Sequence, residues 1–495
     1  MLELLPAAQA ERLRRFFGES GYDEKSLGET LGLVELPSVR QRNVPRLLDR
    51  TSRPGPLTIL LRWFWIGIAQ PAAVVAPFVP AAIVDLLLES RLLSRQNDQL
   101  VPGAMLVPYD GFLVASHHTS RIDAADPELV LWPNPTTRLL LRFTIRRPAR
   151  QALDLGAGTG MLALAAAAHS QNVLATDLNP KAVEFARFNA CLNGITNVEC
   201  LPGDGFAPVA GRKFDLIMSN PPFFITPGSQ FLFCDNPMDL DGLCRELVKQ
   251  APAHLEPDGY FQMLCEWVQI AGQDWHERLG EWFQNNGCDA WVLKGSTVDP
   301  SKYAQERITE ITNSTEHDRK FYDDFMGYYR QRGVEAIHKG LVVMRRRRGH
   351  NWVVMEDIAD APHEPFGDAI ERRFAARDFL AAHPTDERLL EAKPRLSPHA
   401  RLEQLFQSTA DGWQPASLTL KLTRGFPTSV GVQMLVAEFL GACNGSRTLR
   451  EVIDGLSARV NAPPERVRKE CLDVIRHLIE YGFVSCGESK SLTPG

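Results

Sequence analysis

Short apolar runs alternate with amphipathic stretches from about Glu128 to Asp357, and this alternation restricts the possible folds more than any other feature of the chain. Strand-length runs separated by helix-length segments are typical of βαβ units, in which successive strands lie parallel and helices cover both faces of the sheet. The pattern therefore predicts an α/β domain on a parallel sheet with helices on both faces. The candidate strands are QALDLGAG, NVLATDL, VECLPGD, FDLIMSN, GYFQMLCEW, DAWVLKG and GLVVMRRRRGHNWVVMED.

Mainly helical regions flank this domain on both sides. Residues 1–125 show helical spacing of apolar side chains and then two β-rich runs around an Asp-Gly turn. Residues 361–495 turn helical again, and Ser417 to Cys486 give a strand, helices and a short final strand. We predict a winged-helix-like module at each end. Such modules contact proteins and nucleic acids alike, and the alternative is a packing domain that only covers its neighbour. The central domain is placed at 126–360, with a helical insertion at about 299–333.

Composition excludes several classes of protein. The 54 Lys and Arg nearly balance the 60 Asp and Glu, which excludes a uniformly basic nucleic-acid coat but not a local basic patch. The nine cysteines form no CxxC pair, which favours reduced thiols in a cytoplasmic protein and no metal site. We expect neither export nor a membrane partner, because the N-terminus lacks an apolar signal core and charges and prolines interrupt the most apolar stretch, 57–88.

A glycine-rich turn follows the first candidate strand, in LDLGAGTG. Gly156, Gly158 and Gly160 leave out the side chains that would hold a ligand away from the backbone, so a small molecule can contact the main chain there. A dinucleotide-binding turn needs its third glycine where this chain has Met161, so a pyrophosphate ligand is disfavoured. Asp154, at the strand end, suits a cationic amino or sulfonium group better than a phosphate.

Acidic residues also end the next two candidate strands. Asp177 lies 21 residues after Gly156, close to the offset of about 20 from which an acid reaches ribose hydroxyls. Asp204, in GDGF, can accept a hydrogen bond from an adenine amino group, and Phe206 can pack on the ring. Each aspartate alone can equally be a helix cap. Together with Asp154, they indicate one acidic crevice at the carboxyl edge of the sheet.

The fourth candidate strand ends at two consecutive prolines, in FDLIMSNPPFF. If the crevice holds a methyl sulfonium nucleoside, the Asn220 amide oxygen and the Pro221 carbonyl can accept hydrogen bonds from a planar amino group and direct its nitrogen toward the methyl. Proline fixes φ, so Pro221 and Pro222 keep the local carbonyls aimed, and Phe223 can stack on the acceptor. The alternative is a proline-stiffened turn without a ligand.

Taken together, LDLGAGTG, ATDLNPKAVEFARFNACLNG, GDGF and FDLIMSNPPFF resemble the class I S-adenosylmethionine-dependent methyltransferases. Within that class they are similar to the small-domain group, which includes ribosomal RNA guanine-N2 methyltransferases and release-factor glutamine methyltransferases. The resemblance covers Val130 to about Trp267 well and the rest of the sheet loosely. It implies a Rossmann-like seven-stranded methyltransferase domain, S-adenosyl-L-methionine as cofactor, and transfer of a methyl group to a planar amino nitrogen.

The resemblance also assigns expected roles to matching positions. The glycines lie under the methionine part of the cofactor, the acid after the second strand binds ribose, the acid after the third contacts adenine, and the proline motif holds the substrate amino group. Asn220 is expected to belong to both the catalytic and the cofactor-binding sets. The catalytic residues are Asn220, Pro221, Pro222 and Phe223, and the cofactor-binding residues are Asp154, Gly156, Gly158, Gly160, Asp177, Asp204 and Asn220.

The acceptor is open between three classes. Phe223 and the arginine clusters favour nucleic acid binding, with an RNA or ribosomal substrate methylated at guanine N2 or adenine N6. The alternatives are a protein glutamine, with the flanking modules docking the protein, and a small molecule or peptide, with the insertion as a lid. The run Arg345–Arg348 between the last strands and the group Arg146, Arg147 and Arg150 can grip RNA phosphate or can be solvated turns.

Overall fold

A computed structural model describes residues 2–33, 44–118, 126, 128–228, 235–311, 315–358, 364–426, 428–460 and 463–486. The chain divides into two compact units, the first containing residues 1–141 and 147–357 and the second containing residues 142–146 and 358–495. The predicted module boundaries near residues 125 and 360 lie outside the described residues and stay predictions.

Helices and strands are distributed over the whole described chain, from Ala7 to Cys486. The helices are α1 (Ala7–Glu19), α2 (Glu24–Leu31), α3 (Val44–Arg50), α4 (Pro56–Leu60), α5 (Ala72–Val75), α6 (Ala81–Glu89), α7 (Pro135–Phe143), α8 (Met161–Ala166), α9 (Pro180–Leu192), α10 (Gly242–Gln250), α11 (Trp275–Gly280), α12 (Pro300–Ile311), α13 (Thr315–Gln331), α14 (Gly367–Ala382), α15 (Asp386–Leu390), α16 (Met434–Ala442), α17 (Leu449–Val460) and α18 (Pro464–Glu480). A π-helix spans Leu61–Ile66, and 3-10 turns span Ala207–Val209, Ala251–His254 and Glu281–Phe283. The strands are β1 (Gln70–Pro71), β2 (Leu93–Gln96), β3 (Gln99–Pro102), β4 (Met105–Tyr109), β5 (Phe112–Ser116), β6 (Ala149–Leu155), β7 (Ser170–Asp177), β8 (Val198–Pro202), β9 (Phe214–Ser219), β10 (Leu255–Ile270), β11 (Cys288–Val298), β12 (Val334–Arg346), β13 (Val353–Asp357), β14 (Pro394–Leu396), β15 (Ala400–Thr409), β16 (Gly412–Leu422), β17 (Ser429–Gly431) and β18 (Val484–Cys486). In the described part of the chain, no helix is both long enough and apolar enough to cross a bilayer.

The central sheet of the first unit has eight strands in the order β8-β7-β6-β9-β10-β12-β11-β13. All neighbouring pairs are parallel except the two made by β12, so the predicted α/β architecture with a mostly parallel sheet is confirmed. The predicted count of seven strands is wrong by one. The last apolar run breaks after Arg346 into β12 and β13, which pair with opposite edges of β11. Arg345 and Arg346, predicted to lie between the last strands, belong instead to the end of β12.

The sheet is buried on both faces, which explains why its strands read as continuous apolar runs rather than alternating ones. The last four residues of β6 are all buried, and so are ten consecutive residues of β10. Large aromatic side chains fill the space around the second half of the sheet, including Trp267, Trp282 and Trp291. Removing one of them, as in Trp291→Ala, is expected to cost about 3–5 kcal/mol of unfolding free energy.

The N-terminal part of the first unit adds small antiparallel sheets to the large one. The hairpin β4-β5 turns at Asp110 and Gly111, both with positive φ, as the Asp-Gly dipeptide predicts. Helix α9 and the residue that follows it hold this hairpin through two amide side chains. Asn189 of α9 pairs with both backbone groups of Ala115, and Asn193, the C-cap of α9, pairs with both backbone groups of Leu113. The winged-helix-like assignment of this region stays a prediction.

The insertion before β12 consists of the helices α12 and α13, as its composition predicts. Its apolar core includes Tyr303, Phe325 and Tyr329, which pack against Ile225 from the loop after β9. The insertion is therefore part of the wall that supports that loop.

The second unit has its own apolar core around α16, α17 and α18. A strand pair joins β14 to β18, and the three-stranded antiparallel sheet β15-β16-β17 carries exposed side chains along most of its length. Helices with a short closing strand agree with the mainly helical prediction for the C-terminal region, and its winged-helix-like assignment stays a prediction.

Candidate functional site

Four strands of the sheet end side by side at its carboxyl edge. In the strand registers Leu155 lies opposite both Thr176 of β7 and Ser219 of β9, and Asp177 lies opposite Pro202 of β8. Neighbouring strands lie about 4.8 Å apart, so the residues that follow Leu155 and Ser219, which are Gly156 and Asn220, are neighbours. The chain leaves β6 toward β7 on one side and reaches β9 on the other, and a crevice opens where strand order reverses in this way.

The glycine turn, Gly156–Gly160, presents main chain to this crevice. Gly156, Gly158 and Gly160 have φ values of 76°, 55° and 80°, in the left-handed region that favours glycine. A Cβ built at Gly156 or Gly158 would meet no atom within 4 Å, whereas one at Gly160 would lie 2.9 Å from the Ala186 Cβ of α9. The first two positions thus leave open space for a ligand, and the third allows a helix to pack closely.

Asp154 lies beneath the glycine turn and is fully buried. Its Oδ2 accepts a hydrogen bond from the Ala163 amide in α8, while its Oδ1 has no hydrogen-bond partner among the described residues. Burial raises the pKa of this carboxyl to about 7, with a smaller contribution from the nearby Asp177. The structure thus gives Asp154 a supporting position inside the protein, and its predicted contact with the cofactor stays a prediction.

Asp177 joins the end of β7 to the glycine turn. Its Oδ2 accepts from the Gly158 amide at 2.8 Å and its Oδ1 from the Asn179 amide at 2.8 Å, and burial raises the pKa of the carboxyl. The backbone oxygen of Asp177 accepts from the amide of Gly203, which brings the exposed Asp204 to the same edge. Leu178 follows Asp177 directly and is 56% exposed, an apolar side chain at this edge that the sequence reasoning missed.

These features fit the cofactor that the resemblance implies. Open main chain suits an amino acid moiety, acidic side chains suit a sulfonium and ribose hydroxyls, and an exposed leucine suits an aromatic base. One expected contact is wrong: Phe206 is buried and stacks on His254, with ring centroids 4.5 Å apart, so its ring does not face an open site. No group of three or more His, Cys, Asp or Glu side chains within the described residues is placed to bind a metal.

Asn220 lies at the start of the proline loop, Asn220–Ile225. Its Nδ2 donates to the hydroxyls of Thr136 at 3.2 Å and Thr137 at 3.4 Å, which belong to the first turn of α7. Its Oδ1 is buried and has no hydrogen-bond partner among the residues the structure describes. A buried amide oxygen without a donor costs free energy unless a ligand satisfies it, so this atom is the acceptor that the site offers.

The rest of the proline loop is held by the insertion. Pro221 and Phe223 are buried, Pro222 is half-buried, and the Phe223 ring packs edge-on against Phe224. The Ile225 amide donates to the Tyr303 hydroxyl at 3.1 Å, and the Tyr329 hydroxyl donates to the Ile225 carbonyl at 2.7 Å.

Two further contacts complete this wall, and sequence reasoning did not find them. The Arg307 guanidinium lies 3.8 Å from the centre of the Phe224 ring, and the Tyr303 hydroxyl also donates to the buried Glu266. The local signal that could have located the support was the tyrosine and arginine content of the insertion. Such residues find buried partners when they lie against a core.

The arginine clusters are used within the protein. Arg345 is buried and pairs with the buried Asp289 at 2.8 Å, Arg347 lies 3.7 Å from the same carboxylate, and Arg346 donates to the Leu255 carbonyl at 3.1 Å. Arg150 lies near Asp215 and Glu256, at 3.9 Å and 3.8 Å respectively. Arg345 is therefore not part of a solvated turn, and Arg346 and Arg347 are half-buried.

Comparison with known families agrees with this site. The family model described as "Methyltransferase small domain" matches residues 133–287, which include the glycine turn, the acids and the proline loop. A second model, described as a domain of unknown function, matches residues 371–486 in the second unit.

Among the similar curated proteins is the release factor glutamine methyltransferase of Xylella fastidiosa strain 9a5c, 33% identical over 197 residues, 36% of this chain and 68% of that protein. The protein of the same name from Deinococcus radiodurans is 34% identical over 217 residues, 37% of this chain and 77% of that protein. Ribosomal protein L11 methyltransferase of Rhodopseudomonas palustris strain BisB5 is 53% identical over 87 residues, 16% of this chain and 30% of that protein.

Among the solved structures to which this chain is similar is a SAM-dependent methyltransferase from Thiobacillus denitrificans in complex with S-adenosyl-L-homocysteine. The identity is 17%, the TM-score is 0.28, and the match covers 46% of this chain and 98% of that one. The similarity to the curated relatives, which spans more than two thirds of two of them, shows that the chain belongs to the class I S-adenosylmethionine-dependent methyltransferases of the small-domain group and is an enzyme that uses S-adenosyl-L-methionine.

Proposed function

We propose that this enzyme transfers a methyl group to the side-chain amide nitrogen of a glutamine in a protein partner. The observation that carries the proposal is the buried, unpaired Oδ1 of Asn220 beside the glycine turn. This oxygen accepts a hydrogen bond from the planar NH2 of the acceptor. A glutamine side chain is long enough to enter a crevice and ends in such a group.

S-adenosyl-L-methionine, when bound, supplies a methyl group already activated by its positive sulfur. In the reaction, the bond between that carbon and sulfur breaks, a bond between the carbon and the amide nitrogen forms, and the sulfur leaves as a neutral thioether. The nitrogen then loses one proton to water. The protein contributes alignment: Asn220 Oδ1 and the Pro221 carbonyl hold the NH2, and Phe223 borders the planar group.

On the cofactor side, the main chain of Gly156 and Gly158 would hold the methionine moiety, and Gly160 closes the turn on α9. Asp177 would accept hydrogen bonds from the ribose hydroxyls, and Asp204 would accept one from the adenine amino group. Asp154 supports the glycine turn indirectly, because its Oδ2 accepts a hydrogen bond from the Ala163 amide in α8, the helix that follows the turn.

Support for a protein acceptor comes from two sources. Two relatives that this chain matches over more than two thirds of their length are named release factor glutamine methyltransferase. In addition, three of the four arginines in the Arg345–Arg348 run have partners inside the protein, which removes an observation that favoured RNA. An RNA nucleobase, at guanine N2 or adenine N6, is the competing acceptor, followed by a small molecule or peptide.

The test is methyl incorporation from radiolabelled S-adenosyl-L-methionine into an extract of the source organism, using the full-length protein. We expect label that is lost on protease treatment and kept on nuclease treatment, and peptide mass spectrometry that places the added 14 Da, the mass of a CH2 group, on a glutamine. Label that nuclease removes would replace this proposal with RNA methylation. Asn220→Ala should lower this incorporation by roughly 100-fold or more, and Asn172→Ala, at an exposed position of β7, is its matched control.

A further inference from the structure

The first turn of α7 lies against Asn220 and bears on how its amide is oriented. Asn134 precedes this helix and caps it, because its Oδ1 accepts a hydrogen bond from the Thr137 backbone amide at 3.0 Å. A backbone N–H can only donate, so the atom of Asn134 that faces it must be the oxygen. The polarity of the cap is thereby set by the main chain.

Because Asn134 Oδ1 can only accept, it also fixes the direction of the hydrogen bonds that the two threonine hydroxyls make with it. Thr136 donates its hydroxyl proton to the same Asn134 Oδ1 at 2.6 Å, and Thr137 does so at 3.1 Å. A hydroxyl has one proton, so after this donation each can only accept. The group that faces them from Asn220 must then be a donor, which is the NH2, at 3.2 Å and 3.4 Å.

The reversed amide of Asn220 would place its oxygen against two hydroxyl oxygens that have no proton to give. Since the NH2 faces α7, the oxygen is turned to the other side of the amide, where it has no partner. We propose that Asn134, Thr136 and Thr137 are positioning residues that fix the amide of Asn220 with its oxygen available to the methyl acceptor. Thr136 dominates because its bonds to both asparagines are the shorter ones.

The position of Asn134, the cap of α7, is itself fixed by contacts of its backbone carbonyl. The Tyr109 hydroxyl, at the end of β4, donates to the Asn134 backbone carbonyl at 3.0 Å, and the Arg138 guanidinium lies 4.5 Å from the centre of the Tyr109 ring. Arg138 also pairs with Glu24 of α2. The N-terminal segment thus reaches the acceptor side of the site through Tyr109 and Asn134.

The role of the threonines in turnover rests on the proposed function, so the first measurement is independent of turnover. In protein labelled with 15N only in asparagine, the side-chain NH2 resonances of Asn220 are identified by their loss in Asn220→Ala. We expect Thr136→Val, which keeps the shape and removes the hydroxyl, to move both resonances, and Thr136→Ser to leave them near the wild-type position. Unchanged resonances in Thr136→Val would overturn the proposal even if the enzyme methylates no glutamine.

The second measurement is methyl incorporation into the protein fraction of the extract. Thr136→Val should lower the rate roughly 10-fold to 100-fold, with affinity for S-adenosyl-L-methionine by calorimetry unchanged, because a misaligned acceptor slows the transfer alone. Thr136→Ser should stay within about threefold of wild type, since it keeps the hydrogen bond. In an Asn220→Ala background, Thr136→Val should add less than about twofold.

Losses that multiply in the double variant, or equal losses in the serine and valine variants, would refute the positioning role. If wild-type protein labels no protein while the NMR result holds, then the proposed acceptor is wrong and the orientation of Asn220 stands.

Discussion

The glycine turn and the proline loop lie at the ends of adjacent strands, yet they are held in different ways. The glycine turn is bonded to Thr176 and Asp177, about 20 residues away along the chain. The proline loop depends on side chains from Thr136, Tyr303 and Tyr329, which are 84, 78 and 104 residues away. The glycine turn, where we propose that the cofactor binds, is thus fixed by nearby residues of the chain, whereas the proline loop, where we propose that the acceptor binds, depends on segments outside the sheet.

The largest effect is expected from a variant in the proline loop, which should change turnover but not cofactor affinity. Asn220→Ala should lower methyl transfer by roughly 100-fold or more, the scale of losing one preorganised polar group, while calorimetric affinity for S-adenosyl-L-methionine changes little. Asn172→Ala should match wild type in both measurements. Equal turnover in Asn220→Ala and wild type would show that Asn220 does not hold the methyl acceptor.

The converse experiment acts on the glycine turn. Asp177→Ala removes a carboxylate that accepts from Gly158 and Asn179, so we expect a roughly 10-fold to 100-fold weaker affinity for S-adenosyl-L-methionine, as for loss of charged hydrogen bonds. At saturating cofactor the rate should recover most of its wild-type value. A normal affinity with a low rate would place Asp177 on the acceptor side instead.

A third experiment examines the buried carboxyl below the glycine turn. The pKa of Asp154 is raised to about 7 in the folded protein, so the unfolded chain ionises first as pH rises from about 4, and wild type loses stability up to about pH 7. Asp154→Asn lacks this dependence on pH. The unfolding free energy of the variant relative to wild type should therefore be roughly 1–3 kcal/mol higher at pH 8 than at pH 4.

Denaturant unfolding of both proteins at the two pH values measures this difference. A constant difference between Asp154→Asn and wild type would show that the carboxyl is ionised throughout and makes a contact that burial alone does not describe.

The smallest expected effect concerns the support of the proline loop. Tyr329→Phe removes the hydroxyl that donates to Ile225, so we expect about 1 kcal/mol lower stability and a threefold to tenfold lower rate, without a change in cofactor affinity. Tyr322→Phe, in the same helix, is the control. A rate loss equal in both variants would mean that α13 acts on the loop through general packing alone.

Much of the architecture could be predicted because strand and helix periods are local. Seven apolar runs located the sheet, and what they could not give was the position of the two strands in the last run, which flank β11 on opposite sides. The Asp-Gly turn was predicted for the same reason, since left-handed backbone is accessible to that dipeptide.

The arginine run shows the limit of such reasoning. Four consecutive charges look solvated or ligand-binding in one dimension, but alternate residues of a strand face opposite ways. Arg345 reaches Asp289 and Arg346 reaches Leu255 because β12 lies between two neighbouring strands. Strand order is a property of the assembled sheet, so no local pattern contains it.

From residue order alone came the α/β class, the position of the glycine turn, the acids Asp177 and Asp204, and Asn220 as the group at the fourth strand end. These depend on spacing within about 20 residues, where chain geometry transmits directly to structure. Folding was needed to bury Asp154, to turn Phe206 onto His254, and to bring Thr136 and Tyr329 to the proline loop. Those contacts join segments that only packing brings together, because the energy that selects them is the burial and pairing of side chains from remote parts of the chain.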